Sequence, residues 1–166
     1  MRQRTSRDRA SRPKPAIGAL DAGLRLIGRR AHSRVELRRK LGRRGYTEVE
    51  TEAALNRLVE LGYLDDRAFA EGLVRRRGAI RGPLALSAEL AARGVDRALA
   101  DGALGAFDPE AQLASATRLA ERLCAQKPQA GYRDMLNAVG TKLMRRGFSA
   151  SVTRAACRAA LPGAED

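Results

Sequence analysis

Residues 32–70, HSRVELRRKLGRRGYTEVETEAALNRLVELGYLDDRAFA, decide the fold of this chain. Ser33 is followed three residues later by Glu36, a spacing typical of a capping box at the start of an α-helix. Thr47 and Glu50 repeat this spacing further along the stretch. The stretch therefore predicts two consecutive capped helices, the first rich in arginine and the second rich in glutamate.

Glycine residues follow both predicted helices and mark their ends. Gly45 and Gly62 suit the C′ position, where a positive φ is common because glycine has no Cβ to clash. Leu37 and Leu41 give the first helix an apolar stripe, and Tyr46 is predicted to fold back on the end of that helix. The residues predicted to face inward from the second helix are Val49, Ala54, Leu58 and Leu61.

The same plan returns twice further along the chain. The segments 36–48, 85–97 and 138–150 read ELRRKLGRRGYTE, ALSAELAARGVDR and AVGTKLMRRGFSA, and they align without gaps. Their aligned glycines, at positions 45, 94 and 147, are 49 and 53 residues apart, which suits one three-helix unit per period. Such a unit is small, so neighbouring units are expected to stabilise one another by stacking. The sequence therefore predicts an all-α fold, an elongated and curved array of three tandem three-helix repeats.

The two ends of the chain complete the predicted organisation. Residues 1–14 carry six basic side chains and one acid, and Pro13 and Pro15 argue against an amphipathic helix there. Pro162 and Gly163 are predicted to end the last helix. The predicted segments are a disordered basic tail at 1–15 and three-helix repeats at 16–63, 64–107 and 108–162.

The charge of the chain points to an anionic partner. Its net charge is +13, with 32 basic and 19 acidic residues. The charge lies in blocks, because residues 25–44 hold nine basic side chains and one acid, whereas residues 47–66 hold one arginine and six acids. A nucleic acid or an acidic protein surface would bind such a basic block. A basic surface that only keeps the protein soluble is the alternative.

The sequence carries no motif that predicts catalysis. It contains no glycine-rich phosphate loop and no nucleophile elbow, and His32 is its single histidine. We expect His32, beside the Ser33 cap, to make a local contact or to face solvent. Asp65 and Asp66 could suggest a metal site, but capping of the next helix explains these two carboxylates more simply. We therefore expect no enzyme, no metal and no cofactor.

The cysteines and the absence of long apolar runs indicate a cellular compartment. Cys124 and Cys157 lie at apolar positions of helical patterns and lack the spacing of zinc ligands. We expect both to be small buried hydrophobic residues that stay reduced. No apolar run in the sequence is long enough to cross a membrane, so no membrane partner is expected. These features predict a cytoplasmic protein.

Two basic segments are the candidate binding surfaces. Guanidinium and ammonium groups hold phosphates or carboxylates, so a DNA backbone and an acidic protein groove both fit them. Tyr46 is the only aromatic residue near the first segment, which gives little support to stacking on bases. Solvated outer faces of the helices are the alternative. The candidate residues are Arg34, Arg38, Arg39, Lys40, Arg43, Arg75, Arg76, Arg77 and Arg81.

Several of these motifs resemble the RecX family, whose members are regulatory proteins that act on the RecA recombinase. The segment 33–41, SRVELRRKL, resembles the family pattern Ser-x-x-Glu-Leu-x-x-Lys-Leu. The segment 62–70, GYLDDRAFA, resembles a second family signature, and the segment 143–149, LMRRGFS, resembles the third repeat. The resemblance spans about residues 17–161.

The middle of the chain shows a further likeness and one difference. The GP pair at 82–83, followed by EL at 89–90 and RGV at 93–95, resembles the next helix of the family. Relatives commonly carry basic residues directly after the Gly-Pro pair, whereas this chain has LAL at 84–86.

The resemblance implies a function as well as a fold. It implies that the array lodges in the helical groove of a RecA filament on DNA. There it would inhibit ATP hydrolysis and strand exchange, by blocking filament growth or by promoting disassembly. The implied partners are the RecA filament and single- or double-stranded DNA, and we expect the protein to be a monomer. The alternative function is that of an autonomous basic protein that competes for DNA, with an affinity that falls steeply as salt rises.

Overall fold

The computed structural model describes residues 16–126 and 132–160, which contain helices and no strand. The all-α prediction is therefore confirmed for these residues. The expected tail at 1–15 and the predicted helix end at Pro162 and Gly163 lie outside the described residues. The helices are α1 (Ala19–Ile27), α2 (Arg34–Arg43), α3 (Glu48–Glu60), α4 (Asp66–Arg77), α5 (Pro83–Ala92), α6 (Arg97–Gly105), α7 (Pro109–Cys124), α8 (Tyr132–Arg145) and α9 (Ala150–Ala160).

The chain divides after Asp65 into two compact units. In the first unit, α1, α2 and α3 pack against one another around a core of mostly leucine and alanine side chains. In the second unit, α4, α5 and α6 pack together, and so do α7, α8 and α9. The core of this second unit includes the rings of Phe69, Phe107 and Phe148. Each unit thus has a hydrophobic core of its own.

Hydrogen bonds of the capping residues confirm the predicted starts of α2 and α3. The Glu36 N–H donates to Ser33 Oγ at 3.1 Å. At the start of α3, the Glu50 N–H donates to Thr47 Oγ1 at 3.2 Å, and the Thr47 N–H donates to the Glu50 carboxylate at 2.8 Å. Both halves of the capping box are therefore present at Thr47.

Glycine ends the predicted helices in the left-handed conformation. The residues Gly45, Gly62, Gly94 and Gly147 have φ angles of 95°, 73°, 74° and 87°. A Cβ is disfavoured at such angles, which explains why glycine occupies these four positions. Tyr46, directly after the first of them, is buried, and its hydroxyl donates to the Ile17 carbonyl at 2.8 Å. The Tyr46 N–H donates to the Leu41 carbonyl at 3.4 Å, so the prediction that Tyr46 folds back on the end of α2 is confirmed.

The buried face of α3 differs from the predicted one. Val49 is 80% exposed and Leu61 is 43% exposed, so their predicted inward positions are wrong. The buried residues of α3 are Thr51, Ala54, Leu55 and Leu58. These four recur at spacings of three and four residues, as one helical face requires. Val49 precedes Thr51 by two residues, or about 200° around the helix, which turns its side chain away from the core.

Within the second unit, the start of α5 is held by the end of α8. The Gly82 N–H donates to the Arg146 carbonyl at 2.8 Å, and the Leu84 N–H donates to the Gly147 carbonyl at 3.2 Å. The first N–H groups of a helix lack partners within the helix, and these carbonyls supply them. A Cβ at Gly82 or at Gly147 would overlap backbone atoms of the facing segment. The two glycines therefore allow the close approach of α5 and α8.

Candidate functional site

One carboxylate of α3 organises the basic face of α2. Arg34 Nη2 lies 2.9 Å from one oxygen of Glu52, and Arg38 Nε lies 2.5 Å from the other. Arg34 also donates to Asn56 Oδ1 at 2.7 Å. The two arginine side chains stay 30% and 41% exposed. These contacts hold two guanidinium groups side by side at the surface of the first unit.

This shared carboxylate leaves the pair of arginines positively charged. One carboxylate meets two guanidinium groups, so the three side chains keep a net charge of +1. Hydrogen bonds from Arg38 and, to a smaller extent, from Arg34 lower the pKa of the Glu52 carboxyl. The carboxylate therefore stays charged at neutral pH. It keeps both arginines oriented at the surface of the first unit.

A buried histidine holds Lys40. His32 is 4% exposed, with Nδ1 at 2.8 Å from the Arg30 carbonyl and Nε2 at 2.8 Å from Lys40 Nζ. A carbonyl only accepts, so Nδ1 carries the proton and Nε2 accepts from the lysine ammonium. Burial is the main cause that lowers the pKa of His32 and the pKa of Lys40. His32 thus makes local contacts, and the alternative of a histidine that faces solvent is wrong.

The other two candidates of α2 are Arg39 and Arg43, and both are exposed. Glu36 is the only acid between residues 25 and 44. Its carboxylate accepts two hydrogen bonds from the Arg30 guanidinium, each at 3.1 Å. Because Arg30 balances this acid, the surface of α2 carries a net positive charge.

The second basic segment, at the end of α4, shows the same arrangement in the second unit. Arg77 Nη1 lies 2.9 Å from one oxygen of Glu89, and Arg93 Nη2 lies 2.8 Å from the other. The Arg93 guanidinium also lies 5.8 Å from the centroid of the Phe69 ring, within the range of a cation–π contact. The remaining candidates of this segment, all exposed, are Arg75, Arg76 and Arg81. In each unit, two arginines thus share one glutamate.

Sequence reasoning missed the two glutamates that arrange these arginines. The spacing of Glu89 and Arg93, four residues on one helix, is a signal that could have found the second of them. Glu52 lies 14 residues from Arg38 and 18 from Arg34, on a different helix. No local pattern predicts this contact, because it depends on how α2 packs against α3.

Three further features bear on the chemistry of the protein. Across the described ranges, no group of histidine, cysteine and acidic side chains could hold a metal ion. Cys124 and Cys157 are buried free thiols, as predicted, and burial raises the pKa of both. A raised pKa makes these thiols poor nucleophiles. In the part of the chain that the structure describes, no helix is long and apolar enough to span a bilayer.

Two family models match the chain, one on each of the first two helical triplets. Residues 19–58 match the first three-helix domain of RecX, and residues 65–104 match the second three-helix domain of RecX. The first range contains the basic face of α2, and the second contains the basic end of α4. Both sets of paired arginines therefore lie inside matched domains.

Relatives match over most of the chain. It is 40% identical over 134 residues to the regulatory protein RecX of Mycolicibacterium vanbaalenii, covering 76% of this chain and 73% of the relative. It is 34% identical over 154 residues to the regulatory protein RecX of Pelodictyon phaeoclathratiforme, covering 91% of this chain and 94% of the relative. These relatives are named as regulatory proteins.

Solved structures share the fold. The crystal structure of RecX from Lactobacillus salivarius has a TM-score of 0.76 at 24% identity, covering 86% of this chain and 94% of that chain. A second crystal structure, of regulatory protein RecX, has a TM-score of 0.73 at 27% identity, covering 82% of this chain and 69% of that chain. Together with the two matched domains and the relatives, these likenesses show that the chain belongs to the RecX family.

Proposed function

We propose that this protein binds RecA filaments on DNA and inhibits their ATP hydrolysis and strand exchange. It does so by blocking filament growth or by promoting disassembly, and it thereby modulates DNA repair and recombination in the cytoplasm. Membership of the RecX family carries the proposal. A relative that aligns with 91% of this chain is named a regulatory protein. The resemblance of the first signature motif to the family pattern directs the proposal to RecA.

The paired arginines support binding to an anionic surface. In each unit, two guanidinium groups are held by one carboxylate and keep a net positive charge. The planar fork of arginine suits bidentate contact with phosphate or carboxylate, and prior orientation lowers the entropy lost on binding. A filament of protein on DNA offers both kinds of anion. We propose the nine candidate residues named from the sequence as the contacts.

The ends of three helices support the architecture of three tandem repeats. After each glycine at 45, 94 and 147, the next residue donates a backbone hydrogen bond to the carbonyl five positions earlier. These bonds run from Tyr46 to Leu41 at 3.4 Å, from Val95 to Leu90 at 3.1 Å and from Phe148 to Leu143 at 3.2 Å. We therefore propose α7, α8 and α9 as a third repeat, with the predicted boundaries. The elongated form stays a prediction, which small-angle X-ray scattering would test.

DNA-dependent ATP hydrolysis by RecA tests the proposed function directly. We expect substoichiometric protein to lower the rate. The double variant Arg39→Glu with Arg43→Glu should weaken this inhibition, because it reverses two exposed charges on α2. Its charge-matched control is Arg57→Glu with Arg97→Glu, two exposed arginines outside the candidate surfaces whose ion pairs contribute little to stability. An unchanged rate at every ratio of wild-type protein to RecA would contradict the proposal.

The second candidate function, autonomous competition for DNA, rests on the exposed arginines. On this alternative, the logarithm of the DNA affinity falls linearly with the logarithm of salt concentration, with a slope of about −0.9 per phosphate contacted on a duplex. Binding to preformed filaments and to bare DNA should be compared across a salt series. If filament binding persists where binding to bare DNA is lost, competition for DNA is not the main activity.

A further inference from the structure

An open groove lies within the second unit, between α4, α6 and α7. Its volume is about 530 Å³. This volume falls within the range of roughly 300–1,000 Å³ that is usual for ligand pockets. The groove is separate from the shared contact of Glu89 with Arg77 and Arg93, none of which lines it. The paired arginines and the helix caps therefore assign no role to this groove.

The lining of the groove combines an apolar floor with charged walls. Val74 and Phe107 lie on the floor, and both are buried. Arg75 of α4 and Arg118 of α7 line the walls, together with Glu71. Among the described residues, no carboxylate lies within ion-pair distance of these two arginines. The groove therefore offers an apolar contact and two guanidinium groups at the same place.

Gly102 lies in the lining of the groove. It lies in the interior of α6, where glycine costs about 1 kcal/mol relative to alanine. A Cβ added at Gly102 would meet no atom within 4 Å, so the fold itself does not require glycine there. Because Gly102 lines the groove, we expect a leucine at this position to occupy part of it.

We propose that this groove binds an acidic segment of a protein partner, with an apolar side chain on the floor and a carboxylate between Arg75 and Arg118. The charge of the walls is complementary to such a segment. Arg75 and Arg118 outnumber Glu71, so the charged part of the lining keeps a net positive charge. Nucleic acid fits less well, because a sugar-phosphate backbone has no apolar side chain to place against Val74 and Phe107. The inference rests on the proposed function, under which the partner segment belongs to the RecA protein of the filament.

Two variants with matched controls test the groove. Gly102→Leu fills it, whereas Gly105→Leu adds the same side chain to the same helix outside the groove, where a Cβ also meets no atom within 4 Å. Arg118→Glu reverses a wall charge, and Arg122→Glu reverses an exposed charge on α7 outside the groove. Binding to RecA filaments on single-stranded DNA is measured by co-sedimentation, and melting temperature reports on folding.

We expect Gly102→Leu and Arg118→Glu to weaken filament binding by about tenfold, and both controls to stay within about twofold of wild type. Both leucine variants should melt at or above the wild-type temperature, because leucine is a better helix former than glycine. Equal filament binding by the groove variants and their controls would overturn the proposal that the groove binds the partner. An effect of Gly102→Leu without one of Arg118→Glu would overturn the carboxylate contact.

The same experiment separates failure of the groove from failure of the proposed function. If wild-type protein binds filaments and the groove variants bind equally well, only the inference about the groove is wrong. If wild-type protein binds no filament, the proposed function is wrong and the groove inference fails with it. An equal loss of binding to bare DNA by Gly102→Leu would make nucleic acid the occupant and would also overturn the inference.

Discussion

Replacing Glu52 by glutamine removes the charge that orients Arg34 and Arg38. Glutamine keeps the shape of the side chain but breaks both ion pairs. Exposed ion pairs contribute about 0.2–1 kcal/mol each, and these three side chains are between 30% and 41% exposed, so solvent screening favours the lower part of that range. We therefore expect Glu52→Gln to lower the free energy of unfolding by about 1 kcal/mol in total.

Urea denaturation followed by circular dichroism measures this loss at neutral and acidic pH. Because the pKa of Glu52 is lowered in the folded protein, its stabilising effect is present above the unfolded value of 4.5 and is lost as pH falls through the lowered folded value. The difference between wild type and variant should therefore shrink in acid. Glu60→Gln is the matched control, because it breaks a single, more exposed pair with Arg57 and should cost less.

Two results would refute this reasoning. One is a decrease in the free energy of unfolding for Glu52→Gln that is no larger than the decrease for Glu60→Gln. This result would show that the carboxylate shared by two arginines stabilises the fold no more than a single exposed ion pair does. The other concerns filament binding, since Glu52→Gln raises the net charge by one. If orientation of Arg34 and Arg38 matters, the affinity for filaments should fall. A rise in affinity would mean that charge alone decides binding.

Three further predictions concern the fold and the histidine. Gly147→Ala should destabilise the protein by about 1–3 kcal/mol, because its Cβ would overlap the backbone of Ala85, whereas Gly42→Ala meets open space and should be neutral or stabilising in the same urea titration. Leu41→Ala should cost about 2–5 kcal/mol, because that side chain is fully buried in the first unit, and a cost below about 1 kcal/mol would contradict this packing. The pKa of His32 lies below its ordinary 6.5, so the unfolded chain takes up a proton first and wild-type stability should decline below that pH. His32→Asn keeps a donor for the Arg30 carbonyl and should show a smaller decline, and equal declines would exclude His32 as the titrating group.

The helices, their caps and their glycine ends could be predicted because each depends on a few neighbouring residues. Ser33 with Glu36, and Thr47 with Glu50, place a side-chain acceptor three residues before the amide that it binds. Gly45 has the positive φ that a helix end favours. These signals are local, so they can be recognised in a single sequence.

The features that the sequence did not predict depend on packing between helices. Thr51, a polar residue, turns inward in place of Val49, because the face of α3 that meets α1 and α2 is set by Ala54, Leu55 and Leu58. Glu52 reaches Arg34 and Arg38 only because α3 lies against α2. These contacts join residues that are far apart in the sequence. The periodicity of apolar residues predicts each helix, but it does not predict which helix packs against it.

The same limit applies to His32 and to the groove of the second unit. A single histidine before a cap gave no sign that its ring would be buried between the Arg30 carbonyl and Lys40. The open space beside Gly102 arises where three helices meet, and only their arrangement reveals it. The sequence identified the basic residues, whereas the structure shows which carboxylates hold them.

A reconstruction of this protein on a RecA filament formed on single-stranded DNA would show whether the protein binds the filament and which side chains make the contact. We expect density for the protein on the filament, with the exposed arginines of α2 and of the end of α4 against protein or DNA. A bound state in which both segments face solvent would contradict the proposed contacts. Filaments that remain bare at saturating protein would contradict the proposed function itself.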